Sequence, residues 1–360
     1  MLTGNKGEWS EIYVFLKLLA DGRLNAADAN LNAIPNVYYP IIKILRQENS
    51  INREYRINGD IRIFDGENNE ILSLPIADFV NYSQQLFKEL RNAEGRSFAF
   101  EDIETFLNCI DIHSLTALKT DKADIKVVVH DLNTGMQPKL GFSIKSMLGG
   151  NSTLFNPGNT TNFIYEISGG EGELNIDEIN AIENSPKIAN RIAAIRERGF
   201  DVKFKGIQSA TLQLNFQLID SDLPQILAEL LLLKYSTPGL ALLAPTLRQL
   251  TINNPLNFDM SQGHPFYEYK IKNFLTDSAL GMTPATMWTG QYDATGGIII
   301  VKENGELVCY HIYNRNEFQN YLLNNTRLEQ ASLSRYNFGD IYCESGRTFI
   351  KLNLQVRFNQ

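Results

Sequence analysis

Between Ala123 and Met147 the residue pattern changes period, and this change limits the folds open to the chain more than any other feature. The run DIKVVVHD (124–131) is dense in β-branched residues, loop chemistry follows from Leu132 to Pro138, and LGFSIKSM (140–147) resumes the strand pattern. A β-hairpin is expected there, with further elements to cover its apolar side. Side chains alternate along a strand, so Asp124 shares a side with Lys126 and Val128, and Ser143 shares one with Lys145. If Asp124 lies opposite Lys145, the midpoint falls between Thr134 and Gly135, inside the loop. The hairpin then joins a carboxylate and an ammonium at its open end. A carboxylate on a strand can bind a divalent metal, and a lysine beside it can hold or activate a water for attack on phosphorus.

Elsewhere helical and strand periods interleave. Glu8 to Ala20 has apolar residues at 12, 15, 16 and 19 and a stop at Asp21-Gly22, which predicts a helix with Glu8 and Glu11 about one turn apart. A short apolar element at 38–47 and strands at 54–64 and 70–74 follow, then helices at 76–91 and 100–110. After the hairpin come a polar loop at 149–161, a strand at 162–167, and helices at 176–182 and 186–198. A strand at 212–218 and a helix at 223–235 are predicted next. Strands at 296–301, 307–313 and 347–358 close the chain, with a helix at 315–323 among them. Together these predict an α/β (α+β) fold with a mixed central sheet flanked by helices. Residues 1–150 read as a catalytic core and 151–360 as a DNA-recognition and sheet-completing lobe, packed as one compact unit.

The 360 residues include 43% apolar side chains, ample for a core, and no run long enough to span a membrane. Three widely spaced cysteines without a CxxC pair suit three buried thiols in a reducing, cytoplasmic setting. Four scattered histidines give no metal-site spacing, with His130 and His311 read as strand or core residues. A net charge of −8 argues against coating nucleic acid by bulk charge. The charge is segregated, however. Residues 151–186 carry acids and no Lys or Arg, whereas 187–205 carry Lys187, Arg191, Arg196, Arg198, Lys203 and Lys205 against only Glu197 and Asp201.

An acid opening one strand and an x-Lys step on the next resembles the PD-(D/E)xK nuclease core, with Ser143 standing where the second acid is usual. Members of that group commonly add a glutamate from a preceding helix, which Glu8 or Glu11 could supply. The strings GNKGEWSEIYVFLKLL (4–19), KADI (122–125), GFSIKS (141–146), STLFNPGNTTNFIYEI (152–167), GGIIIVKENGELVCYHIYNR (296–315), RYNFGDIY (335–342) and IKLNLQVRF (350–358) further resemble the HpaII-like type II restriction endonucleases. The resemblance runs from the first residues to the last. It implies a Mg²⁺-dependent phosphodiesterase cutting both strands of duplex DNA at CCGG, paired with a protective methyltransferase. A homodimer acting on the palindrome is a further expectation. Carried over, Asp124 is the metal-binding acid, Lys145 orients the water, and Glu8 or Glu11 is the helix acid. The Ile144 carbonyl could complete the ligand set. Ser143 cannot supply a carboxylate, so the number of metals stays open.

Sequence readout needs donors and acceptors aimed at base edges. Candidates are Asn151, Ser152, Thr153, Asn156, Asn159, Thr160, Thr161 and Asn162 in the loop after the second hairpin strand, and Arg315, Arg327 and Arg335. Lys187 and Arg191 could clamp phosphates. Ser143 and the acidic pI also leave a second reading, a DNA-binding protein that keeps the fold without catalysis.

Overall fold

The helix that opens the chain is fixed by its ends. Asn5 accepts hydrogen bonds from the N–H groups of Gly7 and Glu8, Glu8 returns the favour to the Asn5 N–H, and Gly22 stops the helix in the left-handed region at φ 65°. The computed structural model describes residues 1–48, 51–116, 123–132 and 134–359; Lys122 of the KADI string and Asn133 of the hairpin loop lie outside them. Helix α1 (Lys6–Asp21) leads into β1 (Arg23–Ala27), the long β2 (Ala33–Glu48), β3 (Ile51–Asn58), β4 (Asp60–Phe64) and β5 (Glu70–Leu74). Then come α2 (Ile76–Asn92), α3 (Glu101–Cys109) and the hairpin strands β6 (Ile125–Val129) and β7 (Lys139–Ser146).

The second half begins with β8 (Thr153–Phe155), β9 (Asn162–Gly169), α4 (Ile176–Asn180), α5 (Lys187–Glu197) and β10 (Phe200–Ile207). Helices α6 (Ala210–Ile219), α7 (Leu223–Ser236), α8 (Leu243–Asn253) and α9 (Phe266–Leu280) precede β11 (Gly297–Val301) and β12 (Leu307–His311). The chain ends with α10 (Arg315–Asn324), β13 (Thr326–Leu328), α11 (Leu333–Tyr336), β14 (Ile341–Glu344), β15 (Arg347–Asn353) and β16 (Val356–Phe358).

The fold is mixed α/β. Nine strands form one sheet in the order β1-β12-β11-β7-β6-β2-β3-β4-β5, with β1/β12 and β11/β7 parallel and the other neighbours antiparallel. Strands β11 and β12, from far along the chain, are thus inserted between β7 and β1. Smaller sheets β10-β9-β15-β14 and β13-β16-β8 belong to the second half. Two cores flank the large sheet. On one side α1, α2 and α3 pack over Ile125, Val127, Phe142, Ile144, Ile299 and Val301; on the other, Ile298, Ile300, Val308 and Tyr310 join the core of the second half.

Several sequence expectations change. Residues 212–218 form part of helix α6, because Leu212, Asn215 and Phe216 bury one helical stripe while Leu214 and Leu218 stay exposed, and Ser209 caps the first turn. The period-2 leucines read as a strand, and tertiary burial chose otherwise. The strand expected at 54–64 is two strands, folded back at Gly59 with φ 76°. Strand β10, unforeseen, carries its own signal in the alternation Phe200, Val202, Phe204, which the charges between them obscured. Of the three thiols only Cys309 is buried; Cys109 and Cys343 are exposed. The strand predicted at 296–301 is found as β11, and glycine is required at its start: a Cβ on Gly297 would sit 1.9 Å from the Tyr310 carbonyl oxygen. Among the described residues no helix is long and apolar enough to cross a membrane.

Candidate active site

Strand alternation sorts the hairpin into two chemistries. Leu140, Phe142 and Ile144 point under α1, so Ser143 and Lys145 project from the opposite side of β7, level with Ile298 and Ile300 of β11. Pairing of Ile125 with Phe142, continued one step, sets Asp124 across from Ser143, not from Lys145. The true register is shifted by two residues from the loop-midpoint estimate. The faces survive, because a two-residue slip keeps every side chain on its side.

That register makes Ser143 the joint of the cluster. The Lys145 ammonium donates to Ser143 Oγ at 3.0 Å, and Ser143 donates to Asp124 Oδ2 at 3.1 Å. The N–H of Ile144 also donates to Asp124 Oδ2, at 2.6 Å, so Ile144 meets the carboxylate through its amide. Three polar groups are held in a fixed chain on a strand pair, where rotamer freedom is small. Ser143 is 5% exposed, whereas Asp124 and Lys145 are partly open.

Both helix acids sit on α1. Glu8 is the closing member of the α1 capping box, its Oε2 receiving the Asn5 N–H at 2.8 Å, and Glu11 is half-buried on the same helix. Helix α1 covers the face opposite Asp124, Ser143 and Lys145. Among the described residues no three His, Cys, Asp or Glu side chains gather closely enough to hold a metal ion.

The proposed base readers divide by burial. A cavity of about 140 Å³ joins Lys145 to Gly149, Gly150, Asn151 and Ser152, so the start of the loop does reach the cluster. The Asn151 carbonyl is held by Arg357, and Ser152 Oγ donates to the Ser146 carbonyl at 3.4 Å. Thr153 is partly buried at the start of β8, while Asn156 and Asn159 are exposed and Thr160 partly so. Thr161 and Asn162 are fully buried: Thr161 ties off Gly158, and Asn162 bonds Gln208, Asn353 and the Tyr336 carbonyl. Arg191 is 1% exposed and bonds the carbonyls of Asn180, Ile182 and Gly339 and the Asp340 carboxylate. It is a structural pin, which corrects its assignment as a phosphate clamp; Thr161 and Asn162 are corrected likewise. Lys187 pairs with Glu183 at 2.8 Å and Arg327 with Glu329 at 2.7 Å. Arg315 is exposed and donates to Asn273, and Arg335 is exposed on α11.

One buried group escaped the sequence reading in its detail. His311 is 1% exposed, its ring 4.9 Å from that of Tyr39, and its Nδ1 accepts the Tyr313 N–H. Burial pushes the imidazole down to about 4, against the upward pull of Asp131.

An acid, a hydroxyl and an ammonium linked on a sheet face suit hydrolysis at phosphorus, the class of a metal-assisted phosphodiesterase. Relatives make the class specific. The family model described as HpaII restriction endonuclease matches residues 5–358. The type II restriction enzyme HpaII of Haemophilus parainfluenzae is 44% identical over 358 residues, which span 99% of this chain and 98% of that protein. No solved structure matches. The chain belongs to the HpaII restriction endonuclease family. It is a type II restriction endonuclease, a site-specific deoxyribonuclease acting on double-stranded DNA, which sets aside the non-catalytic reading.

Proposed function

We propose that this enzyme cuts both DNA strands at the palindrome CCGG in a Mg²⁺-dependent reaction centred on Asp124, Ser143 and Lys145, on a PD-(D/E)xK-like core. The observation that carries this reading is the hydrogen-bonded chain from Lys145 through Ser143 to Asp124. Both bonds to the carboxylate fall on Oδ2, which leaves Oδ1 for a cation. Mg²⁺ is commonly held by one or two carboxylates, with phosphate oxygens and waters filling the remaining positions, so Asp124 beside a DNA phosphate is an adequate donor set. When bound, the ion neutralises charge on the phosphate and makes its water more acidic. Lys145 places a positive charge beside the attacked phosphate, and Ser143 keeps that ammonium from swinging away.

Ser143 in place of an acid lowers the negative charge of the centre by one. The helix acids on the other face are not part of this proposal. Asn151 and Ser152, beside Lys145, are the proposed groove contacts nearest the cut, with Asn156, Asn159, Arg315 and Arg335 as exposed donors available to reach further. A homodimer would present one such centre to each strand of the two-fold site, and a companion methyltransferase would protect host CCGG.

The test is digestion of plasmid DNA with Mg²⁺ and with EDTA, followed by sequencing of the fragment ends. Ends at CCGG only with Mg²⁺ are expected. Ends at another sequence, or cleavage that persists in EDTA, would overturn the assignment.

A further inference from the structure

Among the described residues the large sheet is covered unevenly, and the part they leave uncovered begins at Asp124. Helices α1 to α3 pack on one face, and the core of the second half covers β11 and β12 on the other. That other face continues through β7, β6, β2, β3 and β4 with mostly polar side chains, Val128, Leu45 and Phe64 among them being apolar. The registers place Lys126 beside Leu45, Lys43 beside Arg56, and Arg56 beside Arg62, so cations recur on successive strands. Lys139 extends the row onto β7. A cavity of about 380 Å³ connects this row directly to Asp124, lined among others by Lys126, Lys139, Arg56 and Glu54.

The charge on this face is organised and in excess. Lys43 and Arg56 both bind the single carboxylate of Glu54, at 2.8 Å and 2.6 Å, leaving one positive charge over. Arg56 is further stacked on Phe64 at 3.9 Å, and Arg62 meets Glu70 only at 3.7 Å. Among the described residues, and with Asp124 and Lys145 included, this face carries six cations, Lys43, Arg56, Arg62, Lys126, Lys139 and Lys145, and four acids, Glu54, Asp60, Glu70 and Asp124, in a chain whose net charge is −8. Strands lie about 4.8 Å apart, so the row from β6 to β4 is about 14 Å long. Each strand of duplex DNA carries one charge per about 3.4 Å of axis, so such a row passes roughly four phosphates of one strand.

We infer that this face is a track for the phosphate backbone of the duplex flanking the cleavage site, with Lys43, Arg56, Arg62, Lys126 and Lys139 as its contacts. It goes beyond the proposed centre and rests on that reading only for where the track begins. Such contacts hold register without reading bases. They would raise affinity for long substrates equally at every sequence.

The test is equilibrium binding of the metal-free enzyme, in EDTA, to a CCGG duplex of roughly 30 base pairs across a salt series. The double variant Arg56→Gln, Arg62→Gln should lower the slope of log K against log salt by about 1.8, and Lys139→Gln by about 0.9. Glu54→Gln should steepen it. On a duplex ending roughly two base pairs beyond the site, the differences between wild type and variants should vanish. Slopes unchanged in Lys139→Gln, whose side chain is exposed and dispensable for packing, and in the folded double variant would overturn the inference. Because nothing is cleaved in EDTA, the slopes report on the track alone, while loss of the catalytic reading would show only as cleavage surviving Asp124→Ala.

Discussion

The two sides of the β6–β7 hairpin, a few ångströms apart, are built for opposite purposes. Under α1, Ile125, Val127, Phe142 and Ile144 are shut away from water; on the reverse, Asp124, Ser143 and Lys145 form an open polar chain. The apolar side fixes where the backbone lies, and the backbone fixes the spacing of the polar side. Precision at the site is thus paid for by packing on the far face, and the two sides should fail in different ways.

The largest expected effect is on chemistry. Asp124→Ala should lower cleavage by roughly 10³-fold or more, while metal-free DNA binding stays near wild type. Single-turnover digestion beside a binding assay would show this; cleavage within a few-fold of wild type would remove Asp124 from the site. Next is Phe142→Ala, on the buried side, where loss of a fully enclosed ring should cost about 3–5 kcal/mol in denaturant unfolding. A smaller loss would mean the sealed face is not what holds the hairpin.

The third effect is set by pH. His311 is neutral when folded, with its pKa brought from 6.5 to about 4, so the unfolded chain binds the extra proton in that window. Stability should therefore fall as pH drops from about 6.5 to about 4, by about 3 kcal/mol at most. His311→Phe should flatten that part of the profile, and unchanged curvature would show that other groups dominate it. The smallest effect distinguishes the helix from the site. Glu8→Ala should cost about 1 kcal/mol by opening the capping box, read as a small drop in melting temperature. A fall in kcat without that drop would return Glu8 to the catalytic centre.

Much of this arrangement was legible in advance. The hairpin, the face shared by Ser143 and Lys145, and the opening helix follow from local periodicity and from caps such as Asn5 and Gly22, which act within a few residues. The likeness to HpaII-like enzymes, carried by strings from one end of the chain to the other, is shown by the family match over residues 5–358. Register was less accessible: placing Ser143 across from Asp124 depends on how loop 130–138 closes, which composition does not specify. Helix α6 was missed because alternating leucines carry a strand signal, and only its neighbours decide that Leu214 and Leu218 face outward.

By itself the sequence determined most of the elements and the class of enzyme, and it singled out Asp124 and Lys145 as candidates for the site. Only the tertiary structure decided that Arg191 is a buried pin, that the helix bearing Glu8 covers the far face, and that β11 and β12 wedge between β7 and β1. The reason is physical. Periodicity and capping are energies between near neighbours, whereas burial of a charge and the choice of sheet partner depend on residues more than a hundred positions away.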